Sequence, residues 1–172
     1  YSQPTTARSL LKYRYLGLEG AHVKARDNGY QGAQYPWEAA WPSDGETTPV
    51  WGAADIIKGT ATKIWSGFIE QHITGDVAFA VQQYVDITDD QDFMKQYGYE
   101  IILDTAKFWA SRLNYNDQAN RYEIWDVIGP DEYKEHVNNN AFTNYIAHWN
   151  MQRALSLIAE LRAEQEQVYQ EL

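Results

Sequence analysis

One stretch of this sequence concentrates groups able to do chemistry: Trp125-Asp126-Val127-Ile128-Gly129-Pro130-Asp131-Glu132-Tyr133, followed by Glu135-His136 and the asparagines Asn138 to Asn140. A carboxylic acid held beside a bridging oxygen can release its proton as the C–O bond breaks, which matters because an alkoxide is a poor leaving group. Asp131 and Glu132 offer such an acid on a backbone stiffened by Gly129-Pro130. Tyr133 and Trp125 are placed to wall it with low-polarity surface, which keeps an acid protonated. The same residues also fit a solvated turn that happens to bear an Asp-Glu pair, and local chemistry alone leaves both readings open. Cleavage by water with inversion needs a second carboxylate as base, whereas phosphate arrives as a ready nucleophile. Glu38, Glu46, Asp126 and Asp131 are the candidates for that base, and their spacing does not choose among them.

A second cluster, Gly32-Ala33-Gln34-Tyr35-Pro36-Trp37-Glu38, sets a large ring beside a carboxylate. A pyranose offers an apolar C–H face to indole while its hydroxyls need acceptors, so Trp37 and Glu38 fit a sugar platform. A Trp fastening the loop to the helices, with an exposed Glu next to it, fits as well. His72, in Glu70-Gln71-His72-Ile73, is either a ligand contact or a hydrogen-bonded structural histidine, the commoner state of a lone His on a helix. The asparagine run suits the start of a helix, because Asn side chains satisfy the free N–H groups there, and it would also hold the acid-bearing loop in place. No His, Asp and Glu are spaced as metal ligands, so no metal is expected.

These groups must be positioned by helices. Apolar residues recur at helical spacing from Pro4 to about Arg26, with Pro4 suited to a first turn and Asn28-Gly29 to a stop. Tyr30 to about Lys63 has no sustained period and reads as a long loop, of the kind that is usually functional or mobile. Further helices are expected over Trp65 to Ile87, Gln91 to Leu113 and Ala141 to about Glu166, with Thr88-Asp89-Asp90 ending one and capping the next. Asn114 to Ile124 alternates like a small hairpin. Glu160 to Leu172 reads as a solvated helix terminus. The expected class is all-α, with about four long helices, a long loop in the N-terminal half and a short hairpin before the acid loop.

Composition bounds the partners. The 172 residues are 44% hydrophobic and 22% charged, an ordinary globular balance. A net charge of −10 without a basic cluster disfavours nucleic acid. No stretch approaches the ~18 to 20 apolar residues of a membrane span. The absence of cysteine excludes disulfides and thiolate metal sites, and a cytoplasmic address is only the default. Aromatic residues reach 15%, including 7 Trp and 13 Tyr, several of them in Gly/Pro-rich segments, which leans toward a sugar site as much as toward a helical core. The chain opens without Met and runs at once into a helical pattern, as if cut from something longer.

Together, Tyr13-Arg14-Tyr15, the Gly32 to Glu38 cluster, Glu70-Gln71-His72-Ile73 and the block from Asp126 through Ala141-Phe142-Thr143-Asn144-Tyr145 resemble glycoside hydrolase family 65, the kojibiose, maltose and trehalose phosphorylases. The resemblance runs in order over nearly the whole chain, and the Gly-Pro-Asp-Glu-Tyr to Thr-Asn-Tyr block is highly specific. It implies an (α/α)6 barrel of which residues 1–172 are the central part of the catalytic domain, with sugar- and phosphate-binding motifs before Tyr1 and beyond Leu172. It implies inverting phosphorolysis of an α-linked glucose disaccharide, with Glu132 as general acid, Trp37 and Glu38 as sugar contacts and His72 at a substrate-binding position. Inorganic phosphate is then the co-substrate, no organic cofactor is implied, and the full-length form is expected to form a homo-oligomer. An isolated piece is expected to be inactive. A hydrolase of the same family is the alternative, and a non-catalytic sugar-binding module the alternative from another class. Lys134 departs from the His that many members carry after Glu-Tyr, which puts acceptor specificity in question.

Overall fold

The computed structural model describes residues 2–41, 45–55 and 57–164. Two helices open the chain where one was expected, α1 (Pro4–Leu16) and α2 (Leu18–Asp27). The break falls at Gly17, whose N–H donates to both Tyr13 and Arg14 carbonyls. Glycine weakens a helix by about 1 kcal/mol relative to alanine, so the run parts there. Pro4 occupies the first turn, and α2 stops at Asn28 with Gly29 at φ +83°, both as expected.

The region expected to be a plain loop contains an antiparallel hairpin, β1 (Trp51–Ala54) with β2 (Ala61–Lys63), Trp51 facing Lys63 and Ala54 facing Ala61. Its turn is built by Asp55, whose carboxylate accepts the N–H groups of Ile57 and Lys58. Both strands are largely exposed, so no inside-outside alternation marked them.

The helix expected from Trp65 is also divided, into a single turn α3 (Ser66–Ile69) and α4 (Ile73–Thr88). Glu70 leaves helical space between them at ψ 89°. Asp90 then caps the next run by accepting the Phe93 N–H, and α5 (Gln91–Phe93), a wide turn at Met94–Gly98 and α6 (Tyr99–Arg112) follow as one rod. The hairpin expected before the acid loop is present as β3 (Asn114–Asn116) and β4 (Arg121–Glu123). The last helix, α7, spans Ala141–Glu164; the expected extension to Glu166 and the solvated tail from residue 165 lie outside the described residues.

Helix α4 is central and packs on α1, α6 and α7. Val77, Ala78 and Val81 from α4 meet Leu11, Ile101, Ile102, Leu157 and Leu161, all buried. Each large apolar side chain so buried contributes about 1.5–3 kcal/mol, and this core fixes the helices that carry the site. A second cluster, Phe108, Trp109, Ile124, Val127 and Ala147, underlies the acid loop. The two-residue turn between α4 and α5 makes α4 and the following rod antiparallel neighbours. The first turns of α4 and α7 lie side by side, with the His72 and Phe142 rings 5.3 Å apart. The ends of α2 and α6 and the starts of α4 and α7 therefore share one end of the molecule, where every chemically interesting loop is found. Among the described residues no helix is long and apolar enough to cross a membrane.

Candidate active site

The acid loop has a tightly fastened stem and a free tip. Val127 and Val137 exchange both backbone hydrogen bonds at 2.9 Å, closing the stem. The Ile128 N–H donates to the Ile69 carbonyl at 3.0 Å, tying the stem to α3. The three asparagines divide the remaining work. Asn138 accepts the Asp126 N–H, Asn139 accepts the Ile124 N–H, and Asn140 caps α7 by accepting the N–H and hydroxyl of Thr143. Capping was expected of this run, and so was support of the acid loop. Gly129 is required here, since a Cβ would lie 2.3 Å from the Asn140 amide nitrogen.

At the tip, Asp131 accepts the Tyr133 N–H across a short turn, and among the described residues the Glu132 carboxylate has no hydrogen-bond partner. The expected apolar wall is not built: Tyr133 is 95% exposed, and the Trp125 indole N–H is taken by Glu123. Three of the four candidate bases are committed, whereas the Glu38 side chain is exposed. Asp126 holds His136 at 2.6 Å, and Asp131 is used in its turn.

Glu46 is the most committed of them. Its carboxylate accepts from the backbone N–H of Trp37 at 2.8 Å, of Glu38 at 3.0 Å and of Thr48 at 3.2 Å, from the Thr48 hydroxyl, and from the buried Lys24 ammonium. These donors, Lys24 above all, hold Glu46 ionised below the usual carboxylate range despite partial burial, so it organises the Trp37-Glu38 turn and has no lone pair to spare as a base. The approach to that turn is threaded through the core. Gly32, at φ +67°, passes so close to α6 that a Cβ would meet the Asp104 carbonyl at 2.2 Å. Ala33 N–H donates to Asp104, Gln34 N–H to Ala21 and Tyr35 N–H to the Thr74 hydroxyl. Tyr35 hydroxyl then donates to the Arg14 backbone carbonyl and Tyr13 hydroxyl to that of Ala39, which ties this segment to α1. Trp37 ends half-buried and Glu38 exposed.

His72 lies between these two loops and is buried. Its Nδ1 bonds Asp76 at 2.6 Å and its Nε2 bonds Glu70 at 3.2 Å, leaving no ring nitrogen for a sugar hydroxyl. The imidazole meets Trp37 edge-on at 6.0 Å, so its contribution to a sugar platform runs through that ring. Burial opposes its charge, but the hydrogen bonds and charges of Asp76 and Glu70 outweigh burial and raise its pKa to about 9. Glu70 is fully buried, one of its oxygens is unpartnered, and burial raises its pKa; the charge of Glu132 acts in the same direction, which places the acid loop within electrostatic reach. Trp37, His72 and Glu70 thus form one connected cluster, with Glu38 next to Trp37 in the chain.

A model of the glycosyl hydrolase family 65 central catalytic domain matches residues 1–171. The chain belongs to glycosyl hydrolase family 65. This family 65 chain is 57% identical over 157 residues to the kojibiose phosphorylase of Halothermothrix orenii, a match covering 91% of the chain and 20% of that protein. It is 42% identical over 151 residues to the kojibiose hydrolase of Flavobacterium johnsoniae, covering 88% of the chain and 20% of that protein. A solved structure of a kojibiose phosphorylase-like protein from the human microbiome matches with TM-score 0.78 at 27% identity, over 99% of this chain and 21% of that one. The chain spans about a fifth of the length of the curated relatives it matches.

Several family 65 residues at this end were not singled out from the sequence. Asp76 had a signal, being four residues after His72 on a helix, where side chains meet. Glu70 was inside a quoted motif but gave no hint of full burial. The buried ion set predicts a pH effect. His72 gains its proton partners on folding, so the stabilisation is fully present below about pH 6.5 and is lost as pH rises through about 9. The thermal unfolding temperature of a complete family 65 enzyme carrying this segment should therefore fall as pH rises over that window, and His72→Gln should flatten the dependence. The same slope in both proteins would contradict the assignment.

Proposed function

We propose that this chain is part of the catalytic domain of an inverting glycoside phosphorylase that takes an α-linked glucose disaccharide, kojibiose in first place, and phosphate, and gives β-glucose 1-phosphate. Glu132 acts as general acid, donating its proton to the bridging oxygen as the C1–O bond breaks, while a phosphate oxygen bonds to C1 from the opposite face. The observation that carries this reading is that Glu132 is uncommitted at the tip of a fixed loop, while of the candidate bases Glu46, Asp126 and Asp131 are held in hydrogen bonds and Glu38, exposed beside Trp37, is assigned to the sugar. A phosphorylase needs no carboxylate base, because its nucleophile is supplied from solution. Trp37 and Glu38 contact the sugar, with His72 packed edge-on against the Trp37 ring. The helices are consecutive members of an (α/α)6 barrel, and phosphate is a co-substrate with no organic cofactor.

The likeness to the F. johnsoniae kojibiose hydrolase favours a second reading, in which water replaces phosphate and a base comes from elsewhere in the protein. A complete enzyme carrying this segment should convert kojibiose to glucose 1-phosphate and glucose only when phosphate is present. Release of two glucose molecules at the same rate without phosphate would establish the hydrolase instead.

A further inference from the structure

The stem of the acid loop contains a pair of residues that the proposed reaction leaves unexplained. Asp126 and His136 each immediately precede one of the bridged valines, and both hold left-handed backbone, at φ +57° and φ +56°. Non-glycine residues in that region are uncommon, Asn, Asp and His being the side chains found there most often. Two such residues facing each other across a closed stem, with Asp126 Oδ1 and His136 Nδ1 2.6 Å apart, form a fastening at the point where the tip departs. The imidazole also packs against an aromatic ring. The Trp65 ring meets His136 edge-on at 4.6 Å, and the Lys63 ammonium sits 3.8 Å over Trp65 and 4.6 Å over Phe68. Lys63 ends β2, so a continuous stack runs from the exposed hairpin to the base of the acid loop.

We propose that His136 is a positioning residue for the proton donor: paired with Asp126 and backed by Trp65, it fixes the direction in which the tip carries Glu132. This deepens the reading of Glu132 as general acid and rests on it. Both His136 and Asp126 are substantially exposed, so the pair does little for the core, and its effect falls on geometry. Misplacing a reacting group by about 1 Å costs on the order of 100-fold in rate.

The test compares two substrates in a complete family 65 enzyme carrying this segment. With kojibiose, the sugar leaves only if its oxygen is protonated. With α-glucosyl fluoride, the C1–F bond breaks with its electron pair on fluoride, phosphate oxygen bonds to C1, and no proton from the enzyme is needed. His136→Ala should lower kcat on kojibiose by roughly 10- to 100-fold with little change in KM, and leave fluoride turnover near the parental rate. His136→Asn, which tolerates left-handed backbone and can donate to Asp126, should restore most of the kojibiose rate. Trp65→Ala should fall in the same direction as His136→Ala. Equal losses on both substrates would show a merely structural role and overturn the proposal, as would no loss on either. If Glu132→Gln itself retained the kojibiose rate, the general-acid reading would fail separately from this one.

Discussion

Glu132→Gln should cost about 1000-fold in kcat on kojibiose, within the range that a positioned proton donor contributes, while phosphorolysis of α-glucosyl fluoride continues nearly unchanged. The glutamine amide is close in shape to the carboxyl but has no acidic proton to give. Because Glu132 holds no structural hydrogen bond among the described residues, the substitution removes nothing that fastens the loop. Stability should therefore stay within about 0.5 kcal/mol of the parent. Parental kcat on kojibiose would remove Glu132 from the role of acid. A loss shared equally by both substrates would show that the residue binds sugar and does not donate a proton.

Arg112→Met should be the most damaging substitution to stability, by about 3 kcal/mol or more. Arg112 is 5% exposed, and among the described residues its hydrogen bonds go to neutral acceptors, while the charge of Asp126 also favours the cation. It donates to the Gln71 side-chain carbonyl at 2.8 Å, to that of Asn114 at 3.1 Å and to the backbone carbonyl of Trp125, and it lies over the Tyr30 ring. One cation thus joins the start of α4, the β3 strand and the entrance to the acid loop. Methionine keeps much of the volume but leaves these acceptors without a donor, and each buried unsatisfied acceptor costs about 1–3 kcal/mol. Urea unfolding of the complete enzyme would read the loss. A change below about 1 kcal/mol would mean that water replaces the arginine at its acceptors.

The helices were legible because their cause is local. Apolar spacing, Pro4, Asn28-Gly29 and Asp90 act over a few residues, and the structure places the element ends close to where those signals fall. The breaks were not. Gly17 lies in an otherwise continuous periodic run, and the departure at Glu70, whose buried carboxylate meets His72 two residues on, is marked by no glycine or proline. The same holds for the chemistry. The acid loop was found from residue type and spacing, whereas the uses of Glu46 and Arg112 depend on groups brought together by folding, such as Lys24 with Glu46 and Gln71 with Arg112. A lone charged residue in a loop or at a helix end carries no mark of its future partner. His72 shows the opposite case, since the cautious reading of a hydrogen-bonded histidine describes both its ring nitrogens.

Among the described residues, the long-range fastenings of the acid loop fall on its two flanks, 125–128 and 136–140, and its crest from Pro130 to Glu135 has only the local Asp131–Tyr133 turn. The fold is therefore indifferent to the identity of Tyr133 and Lys134. Side chains there can be exchanged while the scaffold goes on specifying the same chain path. On the proposed reading, selection for a new acceptor need not be opposed by selection for a folded protein, because the two would act on different residues of one short loop.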